Sequence, residues 1–177
     1  MTAPGPCPKT EAEAQRYVGK FLQHFAETEQ ALNSGIGKLL GLAGGKVDIV
    51  CSSIPFAKKV NVFFSAEGLV ASLPDSERRK RLKEIRSKIM SLNETRVIFA
   101  HCPFSSTEKG VTFRRAVVRE VKLSVTDIRK SWNEIEQLCY QADKLVRDLQ
   151  ELVSGMKPYK PSLDFSDPRN SGYLAGF

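Results

Sequence analysis

Between Thr10 and Leu42 the apolar residues Val18, Phe21, Leu22, Phe25, Leu32, Ile36, Leu39 and Leu40 recur at threes and fours. That spacing predicts one amphipathic helix, entered through Thr10 and closed by the glycine-rich run Gly41 to Gly45. Glu29 falls inside the stripe, four residues after Phe25 and three before Leu32, so a carboxylate there asks for a partner. The segment Lys46 to Ser53 is too short to assign. A second helix is predicted from Ser53 to Leu73, with Ser53 as cap, Pro55 in the first turn, and Phe56, Val60, Phe63 and Phe64 at helical spacing. A third follows from Leu73 to Arg96, with Pro74, an acidic opening, and Leu82, Ile85, Ile89 and Leu92 as its stripe.

The fourth long helix is predicted from about Val125 to Val153, introduced by a Ser124/Asp127 capping signal. Ile128, Trp132, Ile135, Cys139, Ala142, Val146, Leu149 and Val153 alternate steps of four and three, a pattern that suits a bundle seam or a coiled-coil contact with a second chain. Between the third and fourth helices, Phe104 to Ser124 contains a turn cluster and the alternation Val111, Phe113, Val117, which predicts a small β-hairpin or extended flap. The expected fold class is therefore all-α: a bundle of four to five helices with one small hairpin. A single domain spans residues 10–156. Segments 1–9 and 157–177, rich in Pro, Gly, Ser and Asp and without apolar period, are expected to be flexible.

Composition changes this picture in two respects. The four cysteines, Cys7, Cys51, Cys102 and Cys139, have no paired spacing and no histidine cluster near them, so they read as reduced thiols, mostly core, with no metal site and no cofactor implied. No apolar run approaches the ~20 residues of a membrane span, and the Pro-rich, polar start has no signal-peptide pattern. The expectation is a cytoplasmic protein. The net charge of +7 is uneven: residues 45–122 carry 16 basic and 8 acidic groups, against 4 and 4 before them and 7 and 8 after them. A cationic middle favours an anionic partner such as nucleic acid, although a solvated basic helix face is the commoner meaning of such a cluster.

Within that middle segment stands Asn93 to Phe104, "NETRVIFAHCPF". Stepping four from Leu92 along the third stripe lands on Arg96, where a guanidinium needs a carboxylate or phosphate partner. Glu29 is the candidate carboxylate. His101 is five residues on, about 7.5 Å along the axis if the helix persists, and rotated to a neighbouring face. Two such side chains can converge on one phosphate but do not by themselves hold a metal ion. The run Val97-Ile98-Phe99 also suits a strand, on which Arg96 and His101 would face opposite ways.

An arginine, four intervening residues and a histidine at the end of a bundle helix, followed by Cys102-Pro103-Phe104 and the extended "GVTFRR", resembles the HEPN superfamily. From Thr10 to Val153 the chain is similar to that superfamily's four- or five-helix bundle. The resemblance implies a metal-independent endoribonuclease built as a homodimer, with Arg96 and His101 of both protomers as catalytic residues at the twofold axis; Glu29, by its stripe position, is the supporting residue expected to hold Arg96. RNA brings its own nucleophile, the 2'-hydroxyl, so cleavage needs proton transfer and charge stabilisation but no Ser, Cys or metal centre. In nuclease members a polar residue, usually Asn, follows the arginine; here it is Val97. Some members are inactive binding modules. The second reading is thus a non-catalytic interaction module, for instance a scaffold or neutralising partner in a toxin or defence system. A third makes the fourth helix an assembly element without ligand.

The run Glu77 to Lys88 has seven basic and two acidic residues. Arg78, Arg79 and Arg81 from it, with Arg114 and Arg115 from the flap, are the candidate phosphate-binding residues, although the spacing also suits a salt-bridged exposed helix. His24, beside the first stripe, reads as a partly exposed helix histidine, and Trp132 as a core anchor. "GLAGGK" lacks the glycine spacing and the Ser/Thr of a phosphate loop.

Overall fold

The computed structural model describes residues 10–70, 76–119 and 122–156, excluding the side chains of 67–70, 78, 118, 119 and 122. The terminal segments expected to be flexible, and the Pro74-Asp75 opening of the third helix, lie outside them. Five helices and three strands follow in order: α1 (Glu11–Leu40), α2 (Gly45–Ser52), α3 (Phe56–Val70), α4 (Ser76–His101), β1 (Phe104–Thr107), β2 (Gly110–Arg119), β3 (Lys122–Ser131) and α5 (Trp132–Ser154). The strands form one antiparallel sheet in the order β1-β2-β3. The architecture is a mixed helix-and-sheet layout, which corrects the all-α expectation.

Helix α1 starts where its sequence signals. The Thr10 hydroxyl accepts the Glu13 amide at 3.4 Å, and the Glu13 carboxylate accepts the Thr10 amide at 2.9 Å, so two amides that the helix leaves unpaired are satisfied reciprocally. At the far end Gly41 takes a left-handed φ of 65°, and the Leu42 amide reaches back to the Gly37 carbonyl at 2.8 Å. The unassigned "KVDIVCSS" is mostly the short helix α2, which buries Cys51. Helix α1 packs against α3, α4 and α5, and Phe21, Leu32 and Ile36 of α1, Phe63 of α3, Ile89 of α4, and Ile135 and Leu149 of α5 are all but inaccessible.

The hairpin of the sequence reading is larger than expected, and the fourth helix correspondingly shorter. β2 and β3 pair along their full ten-residue lengths, with Phe113 opposite Ile128 and Val111 opposite Lys130. Residues 125–131, expected as the first two turns of a helix, are therefore strand. The capping box that works is not Ser124/Asp127 but Ser131/Glu134: the Ser131 hydroxyl accepts the Glu134 amide at 3.3 Å and the Glu134 carboxylate accepts the Ser131 amide at 2.7 Å. Ile128 and Trp132 fit the helical stripe by their four-residue spacing, yet Ile128 equally fits the inward face of a strand. The third helix, conversely, runs five residues beyond its expected end, through Val97-Ile98-Phe99 to His101.

Two contacts set the sheet on the helices. Pro103 ends α4, and its carbonyl accepts the Arg114 amide at 2.8 Å. Beneath it an aromatic chain runs from Phe21 of α1 to Phe99 of α4 (4.9 Å between centroids), Phe113 of β2 (4.7 Å, nearly parallel) and Phe104 of β1 (5.5 Å). Gly110, at φ 153° in the β1–β2 turn, lies so close to the Lys130 carbonyl that a Cβ would collide with it. Beyond Phe113 no third strand among the described residues pairs with the β2–β3 ribbon, and Leu123 and Val125 are 66% and 55% exposed.

Phe113→Ala is expected to cost about 3–5 kcal/mol, the range for emptying a fully buried aromatic site, read as a drop in the denaturation midpoint at unchanged m-value; Phe113→Leu should recover much of it. The Glu134 carboxyl is held below the usual range, first by the Ser131 amide and then by its hydroxyl. A depressed carboxyl contributes stability above its unfolded value of about 4.3 and loses it as pH falls through the folded value. Wild-type protein should therefore melt higher than Glu134→Gln at pH 7, and the gap should close as the pH is lowered toward 3.

Candidate functional site

Helix α4 continues without a break through Arg96 to His101, and the Cys102 amide still reaches the Ile98 carbonyl at 2.9 Å. The strand alternative for Val97 to Phe99 is thereby excluded: Phe99 is buried against Phe21 and Phe113, which holds the helical register where β-branching would favour extension. Arg96 is half-buried and His101 exposed. A cation-capable side chain in the last turn is also favourably placed against the negative end of the helix dipole. Five residues turn a helix through about 140° beyond one full revolution, so within one chain the two side chains leave α4 in divergent directions. Any site using both gains from a second copy.

The structure corrects the expected partner of Glu29. Its Oε1 accepts from Lys59 Nζ of α3 at 2.6 Å, and Lys59 is only 5% exposed. Lys59 stands three residues after Phe56 and four before Phe63, so it occupies the α3 stripe as Glu29 occupies the α1 stripe. That spacing was the signal by which the pair was open to discovery. Arg96 makes no hydrogen bond or ion pair among the described residues.

The candidate phosphate-binding residues do not gather at one place. Arg79 precedes His101 by 22 residues, about 33 Å along α4. Arg81 is paired with Glu151 of α5 at 2.8 Å, and the side chain of Arg78 is outside the described ones. Arg114 is different: its amide is bonded to Pro103, two residues after His101, so the sheet brings it to the end of α4. Its guanidinium faces Asp127, its cross-strand neighbour, at 3.6 Å, and both are substantially exposed. Arg115 is exposed on the opposite face of the ribbon. The sequence thus named one cationic residue, Arg114, whose backbone the fold ties to the C-terminal end of α4, and three on α4 that belong to its other end.

The remaining groups are structural. Trp132 is buried and donates its indole N–H to the Thr107 carbonyl at 3.1 Å, anchoring α5 to the sheet. His24 is partly buried against Glu27 at 3.2 Å. Cys51, Cys102 and Cys139 are free; burial pushes the thiols of Cys51 and Cys139 up, which keeps them protonated and unreactive. Among the described residues no three His, Cys, Asp or Glu side chains are grouped to hold a metal ion, and no helix is long and apolar enough to cross a membrane.

No protein-family model, curated protein or solved structure matches this chain.

Removing Glu29 leaves the Lys59 ammonium buried without a counter-ion. Because a third of the Glu29 side chain is exposed, Glu29→Gln should cost about 1–3 kcal/mol, between a surface pair and a fully buried one. In a double-mutant cycle, Glu29→Gln with Lys59→Met should be clearly non-additive, whereas Glu29→Gln with Arg96→Met should add; coupling of the second pair instead of the first would contradict the assignment.

Proposed function

We propose that this chain is a HEPN-type RNA-binding protein that handles a phosphodiester through Arg96 and His101, with the working site formed between two copies. The observation that supports it most is the state of the motif: α4 is helical through both residues, Arg96 has no carboxylate partner among the described residues, and His101 is open to solvent. The all-helical bundle is not part of the argument, since the fold includes a three-stranded sheet. A half-buried guanidinium without a counter-ion is suited to clamp a phosphate. Arg114, whose amide is tied to Pro103, brings a second guanidinium, paired with Asp127, to the same end of α4.

In this reading the reaction is metal-independent cleavage of RNA. One imidazole accepts the 2'-hydroxyl proton, the 2'-oxygen attacks the adjacent phosphorus, and the bond to the 5'-oxygen breaks as a second imidazole protonates that leaving group. The products end in a 2',3'-cyclic phosphate and a 5'-hydroxyl. Each chain offers one suitable histidine, so base and acid require a twofold pair. Met90 and Val97, seven residues apart and therefore on one face of α4, are 39% and 37% exposed, and His101 follows Val97 by four. This apolar seam beside His101 suits contact with a second copy.

Val97 also favours a second reading. It puts a solvent-exposed valine where nuclease members carry a polar residue, as suits a non-catalytic module that binds RNA or a protein partner from a toxin or defence system. Both readings place the protein in the cytoplasm.

Purified protein should cleave mixed RNA equally with and without chelator, leaving cyclic-phosphate ends. His101→Ala should lower the rate roughly 10²- to 10⁴-fold, the usual contribution of a general acid or base, with dimer mass and RNA affinity kept. Arg96→Ala should lose cleavage and affinity together, since it holds the phosphate in the ground state too. A dimeric wild type that binds RNA but cleaves none leaves the second reading, and Val97→Asn is then the substitution that tests for restored activity.

A further inference from the structure

Helices α4 and α5 run antiparallel, with Arg81 against Glu151 at one end. Between them, nearer the end that carries Arg96, lies a groove of about 360 Å³. Its floor is apolar, made by Leu92 and Leu145, both buried. Tyr140 stands at its wall and is 59% exposed, an unusual place for an aromatic ring on a helix whose other large apolar residues face the core. Lys88 of α4 and Lys144 of α5 line the two sides, and neither has an ion pair among the described residues. Gln137 and Gln141, one turn apart on α5, add amides that both donate and accept, and neither is committed to a hydrogen bond among the described residues. Asp148 also lines the groove, within electrostatic reach of the Arg81 guanidinium toward the other end.

The combination is specific in kind. An exposed aromatic ring at the wall of an apolar-floored groove accepts a planar, weakly polar group; two ammonium groups without an ion pair among the described residues ask for an anion; uncommitted amides bond to heteroatom edges. An unpaired nucleotide supplies all three in one unit, and the volume lies within the ~300–1,000 Å³ of small-ligand sites. A base paired in a duplex could not reach the ring.

We infer that the α4–α5 groove binds one unpaired nucleotide, its base stacked on Tyr140 and its phosphate held by Lys88 and Lys144. The inference deepens the RNA reading above by giving the strand a seat away from the reacting bond, and it rests on that reading only for the source of the nucleotide. Arg96 lies eight residues beyond Lys88, about 12 Å along α4, so a strand seated here continues toward the helix end that bears Arg96 and His101. Stacking tolerates any base, so the groove would favour single strands over duplexes without selecting a sequence.

The test is fluorescence anisotropy of a labelled single-stranded RNA 12-mer, on full-length protein, with circular dichroism confirming that each variant is folded. Tyr140→Ala should weaken binding roughly 5- to 150-fold, the worth of one base stacked on an aromatic ring, while Tyr140→Phe should stay within about twofold, because the ring and not the hydroxyl carries the contact. Lys88→Gln and Lys144→Gln combined should lower the slope of log affinity against log salt by about 0.7, the share of one neutralised phosphate. Competition with uridine and adenosine monophosphates distinguishes a free nucleotide from a strand: displacement at matched concentration assigns the site to the mononucleotide, and displacement by oligonucleotides alone assigns it to the strand. Unchanged affinity in Tyr140→Ala, equal binding of duplex and single strand, or a Tyr140→Ala effect confined to the sedimentation of the protein itself overturns the inference, the last by making the groove a contact between copies. Loss of cleavage in His101→Ala bears only on the catalytic reading; the Tyr140 series is decided by binding whatever the cleavage result.

Discussion

The near-parallel stack of Phe99 on Phe113, 4.7 Å between centroids, joins the last buried turn of α4 to the middle strand of the sheet. Most of what is functionally interesting about the fold depends on it. Phe99 also meets Phe21 of α1 edge-on, and Phe113 meets Phe104 of β1, so helix, helix and two strands share one aromatic column. Aromatic pairs of this geometry add to the burial of their area and have directional preferences. The consequence is positional. With Phe99 fixed, the helix cannot unwind into the strand that its β-branched residues would favour, and Arg96 and His101 keep their helical offset. With Phe113 fixed, Arg114 is delivered to the carbonyl of Pro103.

Charge is distributed unevenly along α4 in how far it is paired. At its start the described side chains of Arg79 and Lys80 are exposed, and Arg81 is engaged with α5 through Glu151. Such exposed pairs contribute little to folding. In its middle, Lys88 faces a groove with an aromatic wall, and near its end Arg96 is half-buried with no counter-ion among the described residues. Among the described residues, the ion pair with a buried member, Glu29 with Lys59, uses stripe positions of α1 and α3 and leaves α4 out. Because Glu29 is paired with Lys59, Arg96 is left without a carboxylate partner among the described residues.

The amphipathic helices were open to reading because their information is local. The stripe of α1, its Thr10/Glu13 box and its left-handed Gly41 are each encoded within a few residues, and the structure uses all three. The motif itself was equally visible: Arg96 on the stripe of the third helix and His101 one turn and a half beyond. Tyr140, Lys144 and Lys88 were less visible, since each occupies the polar side of its own helix and acquires meaning only where two helices face each other.

By itself the sequence determined which segments are amphipathic helices, where α1 begins and ends, and that the chain's positive charge sits in its middle, because period, caps and composition act over one or two turns of chain. Tertiary structure alone decided three other things. Residues 125–131 became strand, since Ile128 suits either period and the choice was made by the hydrogen-bonding groups of β2, fifteen residues away. Lys59 rather than Arg96 took Glu29, since two cations at stripe positions are equivalent until the helices are packed and one ammonium arrives within 2.6 Å. And Arg114, not the arginines at the start of α4, came to lie at the C-terminal end of α4, its amide on the Pro103 carbonyl, since a rigid helix keeps its two ends apart while an antiparallel sheet folds distant residues back onto one of them.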